Sequence, residues 1–273
     1  MYITRAELKA AIDEAHRHGL KITGHLCAVT YREAAALGID DLEHGFFVNT
    51  QLDPGKAPDE CPSSVGTPTL LAMDPEGSEA TELIRLLLAH HVAITSTLPV
   101  FEQSVPGHAP LSPRALDCLT PEAREAYLYL RNRTNSLSPD EARKRVTWWQ
   151  HDLALERKFV AAGGLLLAGP DPTGNGGVVA GFGDVREIEL LAEAGFSVPE
   201  AIRIATFNGA AYLGLEERIG SVAVGKDADL VVLRGDPGEH LADLENVELV
   251  FKDGIGYDSD KLLASVRGRY GEY

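Results

Sequence analysis

Residues 20–45 read LKITGHLCAVTYREAAALGIDDLEHG and contain two strand patterns separated by a helix pattern. The predicted strands are residues 20–25 and 41–44, which are short and mainly apolar. The predicted helix between them is residues 31–37, and Gly38 is a typical helix end. Strand, helix and strand in this order is the pattern of a parallel sheet whose strands are joined by helices.

The same alternation extends in both directions along the chain. A helix precedes residue 20, and Thr4 marks its start because Glu7 follows at the spacing of a capping box. Further on, residues 81–91 predict a helix and residues 92–97 a strand. A helix over residues 150–162 and a strand over residues 165–168 complete the pattern. The sequence therefore predicts an α/β fold with a parallel sheet.

The composition is that of a globular protein with a negative charge. The chain has 273 residues, 44% of them hydrophobic and 24% charged, and its formal net charge is −16 at pH 7. That charge repels phosphate backbones and anionic lipid headgroups. No run approaches the ~18 apolar residues of a membrane helix. We therefore expect neither nucleic acid nor a membrane as a partner.

The cysteines are three in number and widely spaced: Cys27, Cys61 and Cys118. An odd number without a C-x-x-C motif predicts neither a disulfide framework nor a thiolate metal site. Such cysteines favour a reducing compartment. Because acidic residues stand where a signal peptide has its apolar segment, the expected location is the cytoplasm.

Two irregular regions and a change of composition suggest the domain organisation. Residues 98–148 are rich in proline and predict an insertion that covers the substrate. Residues 171–183 are rich in glycine and predict a loop. Short β patterns and turn residues dominate the C-terminal part. We therefore predict an α/β domain over residues 1–214 and a small β domain over residues 215–273.

Three polar residues lie at the C-terminal ends of predicted strands, where each strand becomes a loop: His25, His44 and Asp171. In a parallel β/α barrel, that end of the strands carries the active site. Two neutral imidazoles and a carboxylate there suit a divalent metal ion. The alternatives are a hydrogen-bonded core histidine for His25, ordinary strand-end chemistry for His44 and a helix or turn cap for Asp171.

Several segments resemble the amidohydrolase superfamily of metal-dependent hydrolases, most closely its imidazolonepropionase-like and prolidase-like members. They are residues 24–26, 35–45, 166–171, 197–211 and 220–230, and the last contains the characteristic Asp-Ala-Asp-Leu motif. The resemblance implies the C-terminal portion of a (β/α)8 TIM-like barrel, followed by part of a composite β-sandwich.

The resemblance also implies roles for individual residues. His25 and His44 would bind a divalent metal, most often zinc, in a site that holds one or two ions. Asp171 would be a further metal ligand and the general base that accepts a proton from the attacking water. Asn175, in the glycine-rich residues 174–177, is a candidate to contact substrate, and the alternative is that these residues form an ordinary turn. His151, on the helix of residues 150–162, is a further candidate to line the cleft.

Two departures from the family pattern concern the same site. Pro170 stands before Asp171 where family members usually carry threonine. The His-x-His pair of the first barrel strand is missing, and so is the bridging lysine or glutamate of the fourth. Because the chain also begins almost directly in a helix, we expect it to be a C-terminal half, comprising barrel strands five to eight.

Two functions are therefore open. The first is hydrolysis of a carbon–nitrogen bond in a small amide, cyclic amide or dipeptide-like substrate by metal-activated water, in a site that this chain alone leaves incomplete. The second is a non-catalytic half-barrel, because open sheet edges and apolar faces invite pairing. Its partner would be a separate N-terminal-half chain or a second copy of the same chain. A truncated gene would also explain the missing strands.

Overall fold

The computed structural model describes residues 1–172 and 177–271. The chain folds into two compact units. The first consists of Met1–Thr97 and Asp140–Leu167, and the second of Leu98–Pro139 and Ala168–Tyr273. The predicted division after residue 214 remains a prediction.

A four-stranded sheet has its strands in chain order. The strands are β1 (Thr23–Gly24), β2 (Asp41–Glu43), β3 (Ala93–Ser96) and β4 (Leu166–Ala168), and the sheet order is β1-β2-β3-β4. The β1–β2 and β2–β3 pairs are parallel. The structure thus confirms the predicted α/β fold with a parallel sheet.

The helices follow the predicted alternation. They are α1 (Arg5–Arg17), α2 (Tyr31–Leu37), α3 (Thr67–Ala72), α4 (Ser78–Ala89), α5 (Leu98–Glu102), α6 (Pro113–Cys118), α7 (Pro121–Asn135), α8 (Pro139–Ala161), α9 (Phe182–Glu193), α10 (Val198–Arg203), α11 (Gly209–Tyr212) and α12 (Ser259–Val266). A π-helical turn over Ile204–Asn208 continues α10. None of the described helices combines the length and apolar character needed to cross a membrane.

Local sequence signals explain the first helices well. The Thr4 hydroxyl accepts a hydrogen bond from the backbone N–H of Glu7, and the Glu7 carboxylate accepts one from the backbone N–H of Thr4. An equivalent capping box begins α2, which ends at Gly38 with a φ of 97°. Each capped end satisfies backbone donors that the helix leaves unpaired.

The core of the first unit is apolar and closely packed. It includes the fully buried side chains of Ile12, Tyr31, Leu42, Leu83, Ile94, Leu155 and Phe159. Burying one large apolar side chain contributes roughly 1.5–3 kcal/mol. Along β2, Leu42 points to the opposite face of the sheet from Asp41 and Glu43, because side chains alternate along a strand.

The second unit contains a three-stranded antiparallel sheet. Its strands are β5 (Leu230–Leu233), β6 (Val247–Lys252) and β7 (Ile255–Asp258), and β6 lies in the middle. The turn between β6 and β7 uses Asp253 and Gly254 with φ values of 50° and 78°. The β patterns over residues 230–233 and 247–251 therefore form strands as predicted, whereas residues 220–222 do not, and α12 was not foreseen.

One helix is longer than predicted. The helix predicted over residues 150–162 is part of a longer helix, because α8 runs through residues 140–147 and residues 150–161 without a break. No glycine or proline stands between them. Phe47 packs against Trp148 and Trp149 with ring centroids 4.4 Å and 5.9 Å away, so the junction is supported by packing.

The expectation that the chain has no disulfide is wrong. Cys27 and Cys61 are bonded, with their Cα atoms 5.0 Å apart, and Cys118 is free and buried. The two bonded cysteines are 34 residues apart in the sequence, and only the folded path of the intervening chain brings them together. The cysteines therefore no longer favour a reducing compartment, because disulfides persist in oxidising ones.

Candidate metal centre

The structure brings His25 and His44 together. His25 follows β1 and His44 follows β2, and these parallel strands are neighbours in the sheet. The two imidazole ring centroids are 4.5 Å apart, and the ring planes make an angle of 74°. Two neighbouring parallel strands thus place both imidazoles at the same edge of the sheet, where the C-terminal ends of the strands lie.

His44 lies in a turn with an unusual backbone conformation. Its φ is 75°, and the φ of Gly45 is 56°. A positive φ at a residue with a side chain is uncommon and costs energy, and it is frequent at functional sites. The turn is anchored on both sides, because the Phe46 N–H donates to Asp152 Oδ1 at 2.7 Å and the Tyr31 hydroxyl donates to the Gly45 carbonyl at 2.8 Å.

A buried pair of acidic residues lies directly beneath this turn. A Cβ atom at Gly45 would lie 2.6 Å from Glu156 Oε1 and 2.9 Å from Asp152 Oδ1. Both acidic residues are fully buried, and Glu156 Oε2 accepts a hydrogen bond from the Ser96 hydroxyl at 3.0 Å. Burial, with the Asp152 carboxylate adjacent, holds the pKa of Glu156 well above its usual range. Both effects favour the protonated form of Glu156.

The acidic pair was missed by sequence reasoning, although one signal was present. Asp152 and Glu156 are four residues apart on α8, so they lie on one face of the helix. Leu155 and Phe159 lie on the same side of that helix and are fully buried, so this side faces the core. Charged residues among such positions are rare unless they are paired.

The surroundings of His44 keep its imidazole neutral. Burial, and then the proximity of His25, lower the pKa of His44 from 6.5 to about 4. The Nδ1 atom of His44 lies 2.8 Å from the Thr97 hydroxyl oxygen, which is buried at the end of β3. A neutral imidazole is the form that binds a metal ion. Thr97 was not among the predicted site residues, although it ends the strand predicted over residues 92–97.

The other predicted site residues are placed as follows. Asp171 follows β4 in the second unit, with an exposed side chain and a φ of 49°. His151 is half-buried in the first unit, and its Nδ1 donates to the Leu70 carbonyl at 2.8 Å, which leaves Nε2 as the acceptor of a neutral ring. Asn175 lies outside the described residues. Their roles remain predictions.

The donor set fits part of a metal site. His25 and His44 supply two nitrogen donors, and zinc sites in proteins usually have four ligands in a tetrahedron. In the part of the chain that the structure describes, no group of three or more histidine, cysteine, aspartate or glutamate side chains is arranged to hold a metal ion. Two imidazoles therefore leave at least two positions of such a site to other ligands.

Comparisons with known proteins differ between family models and individual sequences. The sequence model of the amidohydrolase family matches residues 2–255. A comparison with curated protein sequences finds no match.

Several solved structures share the fold. A Xaa-Pro dipeptidase with bound methionine in its active site is 23% identical, with a TM-score of 0.60 over 94% of this chain and 49% of that protein. A bottromycin amidohydrolase is 22% identical, with a TM-score of 0.65 over 97% and 57%. An A. niger ochratoxinase is 18% identical, with a TM-score of 0.59 over 94% and 46%. The chain thus spans about half the length of these proteins.

Proposed function

The chain belongs to the amidohydrolase family, and we propose that it provides part of the active site of a metal-dependent hydrolase. The proposed reaction is cleavage of a carbon–nitrogen bond in a small amide, cyclic amide or dipeptide-like substrate. The observation that carries this proposal is the pair of imidazoles of His25 and His44 at one edge of the parallel sheet. The similarity in fold to a dipeptidase and an amidohydrolase supports the choice of bond.

Each candidate residue has a distinct proposed task. His25 and His44 would hold the metal through ring nitrogens, and the low pKa of His44 keeps one of those rings unprotonated at neutral pH. Asp171 would accept the proton of the attacking water and pass it to the leaving amine. Zinc is the expected metal because it suits imidazole nitrogen and carboxylate oxygen together. When bound, the metal would supply Lewis-acid activation of water and of the substrate carbonyl.

We further propose that strands beyond those described here complete the site. Two histidines and one aspartate leave zinc with three protein ligands at most. In this proposal the four-stranded sheet is part of a (β/α)8 barrel, and β5–β7 are part of a composite β-sandwich. A cytoplasmic location also remains a proposal, and the bond between Cys27 and Cys61 is an observation against it.

Metal analysis and titration test the central claim. Protein purified without chelator should contain zinc, or bind added zinc in calorimetry. His25→Ala and His44→Ala should each weaken that binding strongly. His18→Ala is the matched control, because His18 is an exposed histidine at the end of α1. If the chain contains and binds no divalent metal, and His25→Ala changes nothing, the proposal is wrong.

A second candidate function is that of a non-catalytic half-barrel that associates with another chain. The observation that favours it is the set of exposed apolar side chains in the second unit: Val222, Val224, Val231, Ile255 and Leu262. Exposed apolar patches commonly mark interaction sites. Light scattering after size-exclusion chromatography tests self-association, and a stable monomer would leave a separate N-terminal-half chain as the partner. A dimer without metal affinity would favour the second.

A further inference from the structure

Thr97 makes a contact that the proposed reaction does not itself require. It directly follows β3, only 2% of its surface is exposed, and its Oγ1 lies 2.8 Å from Nδ1 of His44. The two residues are 53 positions apart in the sequence and belong to the same compact unit. The contact therefore results from β2 and β3 being neighbours in the sheet.

The direction of this hydrogen bond determines which ring nitrogen of His44 carries the lone pair that can bind a metal ion. A neutral imidazole carries one N–H, and its other nitrogen has the free lone pair. If Nδ1 donates to the Thr97 oxygen, the lone pair is on Nε2. If the Thr97 hydroxyl donates to Nδ1, Nε2 carries the hydrogen and is unable to bind a metal ion.

We propose that Thr97 is the positioning residue of His44. Its hydroxyl oxygen accepts the Nδ1–H, holds the ring in one orientation and leaves Nε2 as the donor atom for the metal. The inference rests on the proposed function for the identity of the ligand at Nε2. The tautomer itself is a property of the metal-free chain.

Burial and the absence of charge make threonine suitable for this task. The nearly complete burial of Thr97 limits competition from water for the Nδ1–H. Metal-binding histidines often donate to a carboxylate, which makes the ring more basic. A hydroxyl orients the ring through one hydrogen bond and places no negative charge beside it.

The chain offers a closely matched control. Thr95 lies two positions earlier on the same strand and is also buried, but its hydroxyl donates to Asp41 Oδ2 at 2.7 Å. Thr95→Val therefore removes a buried hydroxyl from β3 without touching the ring of His44. Thr97→Val removes the proposed acceptor at nearly constant volume, and Thr97→Ser retains it.

The test uses the whole chain and two measurements. Nitrogen-15 NMR of histidine-labelled, metal-free protein reports the tautomer of each ring, and His44→Gln identifies the signal of His44. Competition with a chelator reports zinc affinity. We expect His44 to carry its hydrogen on Nδ1 in the unmodified chain and in Thr97→Ser and Thr95→Val. Thr97→Val should lose that preference and bind zinc about 10- to 100-fold more weakly.

The outcomes separate this inference from the proposed function. A hydrogen on Nε2 in the unmodified chain would overturn the inference, and so would an unchanged tautomer and zinc affinity in Thr97→Val. Absence of zinc binding by the unmodified chain would contradict the proposed function, while a tautomer change confined to Thr97→Val would still support the role of Thr97. Circular dichroism melts of all variants show whether a loss of zinc affinity reflects unfolding. Thr97→Ser supports the inference if it folds and binds zinc like the unmodified chain.

Discussion

Asp152 Oδ1 accepts a hydrogen bond of 2.7 Å from the backbone N–H of Phe46, two residues after His44 and 106 positions away in the sequence. The bond is fully buried and connects the middle of α8 to the turn that carries a candidate metal ligand. The conformation of that turn therefore depends on a helix that is distant in sequence.

Removing this acceptor should destabilise the fold. In Asp152→Ala, the buried Phe46 N–H loses its partner, and leaving a buried donor unsatisfied costs about 1–3 kcal/mol. We expect the free energy of unfolding, measured by urea denaturation, to fall by that amount, and zinc binding to weaken. Asp13→Ala, at an exposed position of α1, should change neither quantity appreciably. Equal stability of the two variants would show that the bond contributes nothing.

The turn also requires glycine at position 45 for two separable reasons. An alanine with a positive φ costs roughly 1–2 kcal/mol. At Gly45 its Cβ would in addition lie 2.6 Å from Glu156 Oε1, whereas Gly19, with a φ of 67°, has no atom within 4 Å of that position. We expect Gly45→Ala to lower the free energy of unfolding by clearly more than Gly19→Ala. Similar losses would mean that the neighbouring carboxyl groups move aside at little cost.

The buried Glu156 should make stability depend on pH. Its pKa is raised in the folded state, so above about pH 4.5 the folded state binds more protons than the unfolded state. This contribution to stability is present below about pH 4.5 and is lost as pH rises toward the folded pKa. Glutamine resembles a protonated glutamate, so Glu156→Gln should remove this part of the pH dependence.

Denaturation curves at a series of pH values test this expectation. As pH rises, the unfolding free energy of Glu156→Gln should increase relative to that of the unmodified chain. Glu82→Gln, at an exposed position of α4, should give a difference that changes little with pH. Parallel pH profiles for Glu156→Gln and the unmodified chain would contradict a raised pKa.

The disulfide should contribute to stability and survive purification in air. A bond that closes a loop of this length typically stabilises a fold by about 2–4 kcal/mol, so Cys61→Ser should lower the free energy of unfolding by that order. Thiol titration of the denatured chain should find one reactive thiol before reduction and three after it. Cys118→Ser should retain the bond and lose the single thiol. Three reactive thiols before reduction would show that the bond does not form.

The parts of this fold that the sequence determined are local. The apolar strand patterns, the capping box at Thr4 and the glycine that ends α2 each depend on neighbours within a few residues. They were sufficient to predict parallel strands, and hence that His25 and His44 follow neighbouring strands. The physical reason is that hydrophobic periodicity and helix capping act over one or two turns of chain.

Only the tertiary structure decided which distant groups surround the two histidines. The contacts of His44 with Thr97, of Phe46 with Asp152 and of Cys27 with Cys61 join segments 53, 106 and 34 residues apart. None has a local signal, because a hydroxyl, a carboxylate or a thiol is equally compatible with many partners. Each contact forms because packing of the apolar core places those segments side by side, and burial then favours pairing of the polar groups.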